Sequence, residues 1–279
     1  MTARVVATVF GLLAASTGPA FAGGWTQAKG AYYVKVWDRT LIGREVFVTE
    51  RTTARLQDSF QDHQINVYAE YGLTEDFTLT LNGTGLGLAI FGDEQRLYSG
   101  GGALGLRYGL AKGNLPIAVE VQLGARPSSG SLATGSVEFN RSGAIETELF
   151  DAAPSVGTGH GSLELQGGFG LPFLWMAGSA GLRGFTNGQL KPAFYIKTQI
   201  GWISAFGLVL DLHMNWYHAT GAIGPINVYG AAQTRYLGFG LGASYWLTEH
   251  IGINAGFDGV FFATANAATP ALLLGMEFK

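Results

Sequence analysis

The sequence has 279 residues, of which 47% are hydrophobic, 13% are charged and 43 are glycine. This composition is too apolar for a disordered chain and too rich in glycine for an ordinary helical enzyme. The lack of cysteine excludes disulfide frameworks, Cys-ligated zinc and thiol nucleophiles, and a net charge of −3 without a basic cluster argues against nucleic acid as a partner.

The chain begins with a pattern that is typical of an export signal. Arg4 precedes an apolar stretch over residues 5–15, and the sequence Ala-Phe-Ala at 20–22 supplies the small residues of an A-x-A cleavage site. The apolar stretch is shorter than the ~20 residues that a membrane-spanning helix needs. We therefore expect a cleaved signal peptide over residues 1–22 and a single domain over residues 23–279.

Beyond the signal, apolar and polar residues alternate with a period of two, which indicates strands. In one example, Ile117, Val119 and Val121 alternate with Glu120 and Gln122. Strands of about ten residues with this pattern cross a bilayer when they are tilted. The predicted strands cover residues 31–41, 61–72, 77–88, 99–110, 116–126, 160–170, 174–184, 192–202, 207–218, 232–246, 251–262 and 270–278.

The connections between these strands alternate in length. Those after even-numbered strands are tight turns, whereas those after odd-numbered strands are mostly longer, the largest covering residues 127–159. Short turns on one side and long loops on the other are typical of outer-membrane barrels. The sequence thus predicts an all-β, 12-stranded antiparallel transmembrane β-barrel, with short periplasmic turns and longer extracellular loops. We expect it in the bacterial outer membrane, in contact with lipid and with both termini periplasmic.

The alternation places polar and charged side chains of both signs on the inward face. Because neither sign dominates, we expect no steep charge selectivity. Two interpretations stay open: an ionic core that plugs a narrow barrel, or a path for a small solute with the 127–159 loop as a constriction. The candidate lumen-lining residues are Lys35, Arg39, Glu70, Arg107, Glu120, Arg126, Glu164, Arg183, Lys197, Asp211, His213 and Asp258.

One motif could carry catalysis. His160-Gly161-Ser162 opens a strand and resembles the base and nucleophile of outer-membrane acyl hydrolases. The alternation points both side chains into the lumen, whereas a lipid-cleaving site must open towards the bilayer, so this hypothesis requires a bulge at Gly159 or Gly161. The other histidines are dispersed, and we expect no metal site and no cofactor.

Three motifs resemble a known group of barrels. They are the sequence over residues 24–35, the Tyr-Gly-Leu-Thr turn at 71–74, and Gly-Thr-Gly at 157–159 followed by Leu-Glu-Leu at 163–165. These motifs resemble the bacterial outer-membrane barrels grouped as MetA-pathway phenol-degradation transporters and, more broadly, uptake channels for hydrophobic or aromatic small molecules. The resemblance implies passage of a small solute.

These observations favour a channel or transporter, and no enzyme, that passes small hydrophobic or uncharged molecules through a mixed-charge lumen. The first alternative is a structural or surface-interaction barrel with a plugged lumen and partner-binding outer loops. A less favoured alternative is an acyl hydrolase that uses His160 and Ser162. The substrate and the oligomeric state are left open.

Overall fold

The computed structural model describes residues 24–141 and 143–279, so the signal peptide predicted over residues 1–22 lies outside the described residues. The regular elements of the described part are strands. They are β1 (Tyr32–Thr49), β2 (Thr52–Gly72), β3 (Phe77–Phe91), β4 (Glu94–Tyr98), β5 (Gly101–Ala111), β6 (Ile117–Arg126), β7 (Thr134–Arg141), β8 (Ala144–Asp151), β9 (Thr158–Gly170), β10 (Leu174–Phe185), β11 (Ala193–Ile203), β12 (Leu208–Ala219), β13 (Ile226–Asn227), β14 (Arg235–Trp246), β15 (Ile251–Thr264), β16 (Asn266–Ala267) and β17 (Ala271–Phe278).

Twelve of these strands form one closed antiparallel barrel, which confirms the predicted fold class. Their order is β1-β2-β3-β5-β6-β9-β10-β11-β12-β14-β15-β17, and β17 pairs back onto β1. In the closing register Val34 lies opposite Phe278 and Leu41 lies opposite Ala271. Closure leaves no sheet edge, as a bilayer requires. The described residues contain no helix that is long and apolar enough to span a membrane.

The outer face of the barrel is an apolar belt. Leucines that alternate with inward polar residues are exposed, for example Leu81 (40%), Leu104 (59%) and Leu165 (56%). Exposed aromatic residues such as Tyr108 and Trp202 lie near the end with the short turns. Such a large apolar surface is stable only against lipid, and aromatic residues at strand ends mark the membrane interface. The protein is an outer-membrane barrel.

The strands of the first hairpin extend well beyond their predicted ends. Residues 42–60 were expected to be mostly loop, but β1 and β2 continue through them and are joined by a turn at Glu50 and Arg51. The predicted loop at 127–159 likewise contains the β7–β8 hairpin, which pairs with β13 in a separate small sheet. Charged residues such as Arg44 and Arg55 interrupt the apolar alternation here, because this region lies outside the lipid.

An outer apolar cluster holds these extensions together. It joins the β1–β2 extension to the β7–β8 hairpin and to the segment around β13. Burial of each large apolar side chain contributes roughly 1.5–3 kcal/mol, so the outer loops form a packed structure. The cluster includes Val46, Val48, Leu56, Phe60, Val137, Phe139, Ile226 and Val228.

Truncating Phe60 tests whether this cluster anchors the outer loops. Phe60 is 0% exposed, and its ring centroid lies 6.2 Å from that of Tyr229 in an edge-to-face arrangement. We expect Phe60→Ala to destabilise the cluster by about 3–5 kcal/mol, since it leaves a cavity. Limited proteolysis of the liposome-embedded protein should then cut residues 127–159 faster, while the barrel stays protected.

The control for this experiment is Ile145→Ala, because Ile145 is 76% exposed on β8. It should leave the proteolysis rate close to that of the unchanged protein. Equal rates for Phe60→Ala and Ile145→Ala would show that the cluster does not hold this segment.

Candidate functional site

The inner half of the lumen contains a buried ionic network centred on Arg107. Its side chain is 2% exposed, and it lies on β5 between carboxylates from β2 and β6. Arg107 Nη1 donates to Glu70 Oε1 at 2.7 Å, and Nε donates to Glu120 Oε2 at 2.9 Å. Arg107 Nη2 also donates to the Tyr68 hydroxyl at 3.0 Å. One guanidinium therefore neutralises part of the charge of two buried carboxylates.

The network continues along the neighbouring strands. Gln166 on β9 donates to Glu120 Oε2 at 2.8 Å and to Glu164 Oε1 at 2.9 Å. Lys197 Nζ on β11 donates to Glu164 Oε2 at 3.1 Å. These residues fill one side of the inner lumen, so part of the predicted ionic core is present.

Residues before β1 fold into the inner mouth of the barrel. The Trp25 carbonyl accepts a hydrogen bond from Arg107 Nη1 at 3.0 Å, and Gln27 Nε2 donates to Glu70 Oε2 at 2.6 Å. The Trp25 ring lies against Gly168, where any Cβ would overlap the ring. Sequence reasoning missed this contact, although a glycine at an inward position of β9 is compatible with the close approach of another group.

A second polar group lies on the opposite side of the lumen. His213 Nδ1 is 3.2 Å from Asp211 Oδ1, and its Nε2 is 3.0 Å from Asp258 Oδ1. Gly240 makes room for the ring, since a Cβ there would overlap His213 and Asp258. Two carboxylates share one imidazole, so this group carries a net negative charge in either protonation state of the histidine.

Two cavities remain inside the barrel. The inner cavity is about 380 Å³ and the outer cavity about 390 Å³. Both are bordered by His213 and Asp258, so they adjoin at this pair. Arg107, Glu120 and Glu164 also line the inner cavity, so the ionic network forms part of its wall.

Outer segments form part of the wall of the outer cavity. Ser155 and Ala231 line it, and Arg126 Nη2 donates to the Ala231 carbonyl at 2.7 Å. Tyr229 donates to the Ile90 carbonyl at 2.8 Å, and burial raises its pKa above the ordinary value, so the hydroxyl stays protonated. The last residues of the 127–159 loop and the segment after β13 thus border the outer cavity, and a constriction by this loop stays a prediction.

The predicted lumen residues separate by charge along the barrel axis. Arg126 and Arg183 lie near the outer ends of their strands, and Arg39, midway along β1, lines the outer cavity and is 4.0 Å from Asp62. Acidic groups outnumber basic groups around the inner cavity. Its charged lining residues are Lys35, Arg107, Glu120, Glu164, Lys197, Asp211, Asp258 and Glu277, where Lys35 Nζ and Glu277 Oε1 are 3.6 Å apart. The outer lumen is thus positive and the inner lumen negative.

The proposed hydrolase pair does not assemble into a catalytic arrangement. Ser162 is buried and pairs across the sheet with Arg183, whereas the His160 ring lies 6.4 Å from that of Phe185. The hydrogen bonds of the described residues include none between His160 and Ser162. The register of β9 against β6 and β10 is also continuous through both residues, so the bulge that this hypothesis requires is not present.

No protein-family model and no curated protein matches this sequence. Among solved structures, an outer membrane channel from Pseudomonas putida F1 is similar, with a TM-score of 0.63 and 14% identity over 94% of this chain and 99% of that chain. The NanC porin has a TM-score of 0.52 and 6% identity, over 87% of this chain and 99% of that chain. The translocator domain of the autotransporter NalP from Neisseria meningitidis has a TM-score of 0.51 and 11% identity, over 100% of this chain and 97% of that chain.

These similarities define the class of protein. The chain has the fold of the bacterial outer-membrane β-barrels, in agreement with the closed barrel and its apolar belt. Membership of the MetA-pathway phenol-degradation group stays a prediction, because these structures support the barrel class and not that group.

Replacing Arg107 tests the buried network. Arg107→Met leaves Glu70 and Glu120 buried without their cation, which should cost about 3–5 kcal/mol of unfolding free energy. Denaturant unfolding of the refolded barrel in detergent micelles measures this loss. The control is Lys112→Met, since the Lys112–Asp76 pair is 53% exposed on both sides and should contribute less than about 1 kcal/mol.

Removing the charges that Arg107 compensates should reverse most of the loss. The triple variant Arg107→Met, Glu70→Gln, Glu120→Gln buries amides in place of unpaired carboxylates. If this variant were no more stable than Arg107→Met alone, the destabilisation would come from packing and not from unpaired charge.

Proposed function

We propose that this protein is a passive outer-membrane channel for small solutes without net charge. The observation that carries the proposal is the pair of adjoining cavities inside a closed barrel, which meet at His213 and Asp258. The structural similarity to an outer membrane channel from Pseudomonas putida F1 supports this reading.

The axial separation of charge favours solutes of zero net charge. An anion that is attracted to the positive outer lumen meets repulsion from the negative inner lumen, and a cation meets the same two fields in the opposite order. A neutral or zwitterionic solute avoids this penalty. We therefore expect the channel to have a low selectivity between small cations and anions and a modest conductance.

The lining supports uncharged polar solutes better than hydrophobic ones. Gln64 and Asn215 line the outer cavity, and Gln122 and Gln199 line the inner cavity. A wholly apolar solute would remove water from these groups without replacing their hydrogen bonds, at a cost of about 1–3 kcal/mol for each group.

A surface-interaction barrel is the second candidate function. The β7–β8 hairpin presents exposed apolar side chains outside the membrane, with Ile145 at 76% and Leu149 at 62% exposure. Exposed apolar groups of this kind favour contact with a partner. A correctly folded barrel that conducts no ions would favour this candidate over the channel.

Planar-bilayer recording of the refolded protein without residues 1–22 tests the proposed channel. We expect discrete conductance steps and a reversal potential near zero in a potassium chloride gradient. Asp258→Asn removes a negative charge at the junction of the cavities, so the reversal potential should shift towards anion preference. Asp93→Asn, the same change in an exposed outer turn, should have no effect.

Trp25 offers an independent test of the inner mouth. Trp25→Ala removes the ring that lies against Gly168 and should widen this end, which raises single-channel conductance. Trp202→Ala, on the lipid-facing side of β11 and 43% exposed, is the matched control and should leave the conductance unchanged. Unchanged conductance in Trp25→Ala would show that the segment before β1 does not narrow the path.

A further inference from the structure

Two arginines in the outer lumen lack a carboxylate partner. Arg126 is the last residue of β6, and Arg183 lies near the outer end of β10, on the two strands that flank β9. Both Nε atoms are buried without a hydrogen-bond partner, and the ion pairs of the described residues include neither arginine. Because a buried donor without a partner costs about 1–3 kcal/mol, this pair is poised to bind an acceptor.

These arginines share a small cavity of about 150 Å³. It adjoins the outer cavity, since Arg126 and Tyr236 line both. The described residues that line it include no Asp or Glu. Two of its other polar side chains are already engaged: Lys191 Nζ donates to the Gly188 carbonyl at 2.9 Å, and Gln233 Nε2 donates to the Ala222 carbonyl at 2.8 Å.

Both guanidinium groups are held in place by their surroundings. Arg126 Nη2 donates to the Ala231 carbonyl, and the Arg183 guanidinium lies 5.5 Å from the centre of the Tyr195 ring. Gly181 gives the Tyr195 ring its space, because a Cβ there would contact the ring within 2.5 Å. Side chains that are already ordered lose little entropy when they bind a ligand.

Two stacked aromatic rings also line the cavity. The rings of Tyr217 and Tyr236 are stacked, with centroids 5.6 Å apart and an interplanar angle of 13°. Asn215 Nδ2 donates to the Tyr236 hydroxyl at 3.2 Å, which fixes the orientation of that ring. Guanidinium groups bind planar carboxylates through paired hydrogen bonds, and an adjacent ring provides a surface for the body of a planar solute.

We propose that Arg126 and Arg183 form a binding subsite for the carboxylate group of a small solute. The proposal rests on the proposed function for the solute's passage through the barrel. The subsite requires a carboxylate, and the proposed channel favours solutes of zero net charge. The favoured substrate class is therefore a zwitterion with one carboxylate. Binding at the subsite can be measured whether or not the barrel conducts.

Isothermal titration calorimetry of the folded protein in detergent tests the subsite directly. Benzoate is the probe, since it joins a carboxylate to a flat ring, and benzamide is its uncharged counterpart. We expect saturable binding of benzoate and at least tenfold weaker binding of benzamide. Inorganic phosphate is the third probe, and tighter binding of phosphate than of benzoate would overturn the carboxylate assignment.

Three variants locate the binding. Arg126→Gln and Arg183→Gln should each weaken benzoate binding at least tenfold, whereas Arg55→Gln, the same change at an exposed position on the β2 extension, should leave it unchanged. Arg183→Lys keeps the charge but not the planar fork, so its binding should be intermediate. Fold integrity of each variant is checked by denaturant unfolding.

Each negative result has a distinct meaning. The subsite is overturned, even if the barrel conducts, when the unchanged protein does not bind benzoate or when the two Arg→Gln variants bind it as tightly as the unchanged protein. Benzoate binding that depends on both arginines, in a barrel without conductance, supports the subsite and contradicts the proposed channel.

Discussion

Closure of the sheet is the constraint on which the rest of this structure depends. Inside a bilayer every backbone N–H and C=O group needs a partner from the protein, so the last strand must pair with the first. The register of β17 against β1 meets this requirement over eight consecutive residue pairs. Because closure also fixes the alternation of side chains, it places one half of each strand's residues against lipid and the other half in a confined interior.

Confinement explains why charged residues are paired in a chain that has so few of them. A lone charge in a narrow lumen would lose hydration without compensation, and Arg107 with its two glutamates shows the usual solution. Inward glycines such as Gly168 and Gly240 make this dense packing of the interior possible, because they leave space for the Trp25 and His213 rings. Arg126 and Arg183 depart from this pattern, which is why we propose a ligand for them.

The barrel itself could be predicted from the sequence, since a period of two over each strand is a local signal. The extension of β1 and β2 to Thr49 and Thr52 was missed because its apolar residues face a packed cluster instead of lipid, and charged residues interrupt the alternation. The contact of Trp25 with Gly168 joins positions far apart in the chain, and no local pattern predicts it. The lumen-facing alternation of residues such as Glu120 and Asp211 follows from parity, but their ion pairs depend on which strands become neighbours.

The sequence leaves two interpretations of the lumen open, an ionic core and a path for a small solute, and the structure has features of both. The ionic network joins β2, β5, β6 and β9, and its residues line the inner cavity, which reaches His213 and Asp258 on the other side of the lumen. An ionic network and a cavity can therefore occupy the same lumen, because the paired charges form the wall of the space that they leave open. In such a barrel the number of strands sets the space available, and under the proposed channel function the distribution of charge along that space would determine which solutes pass.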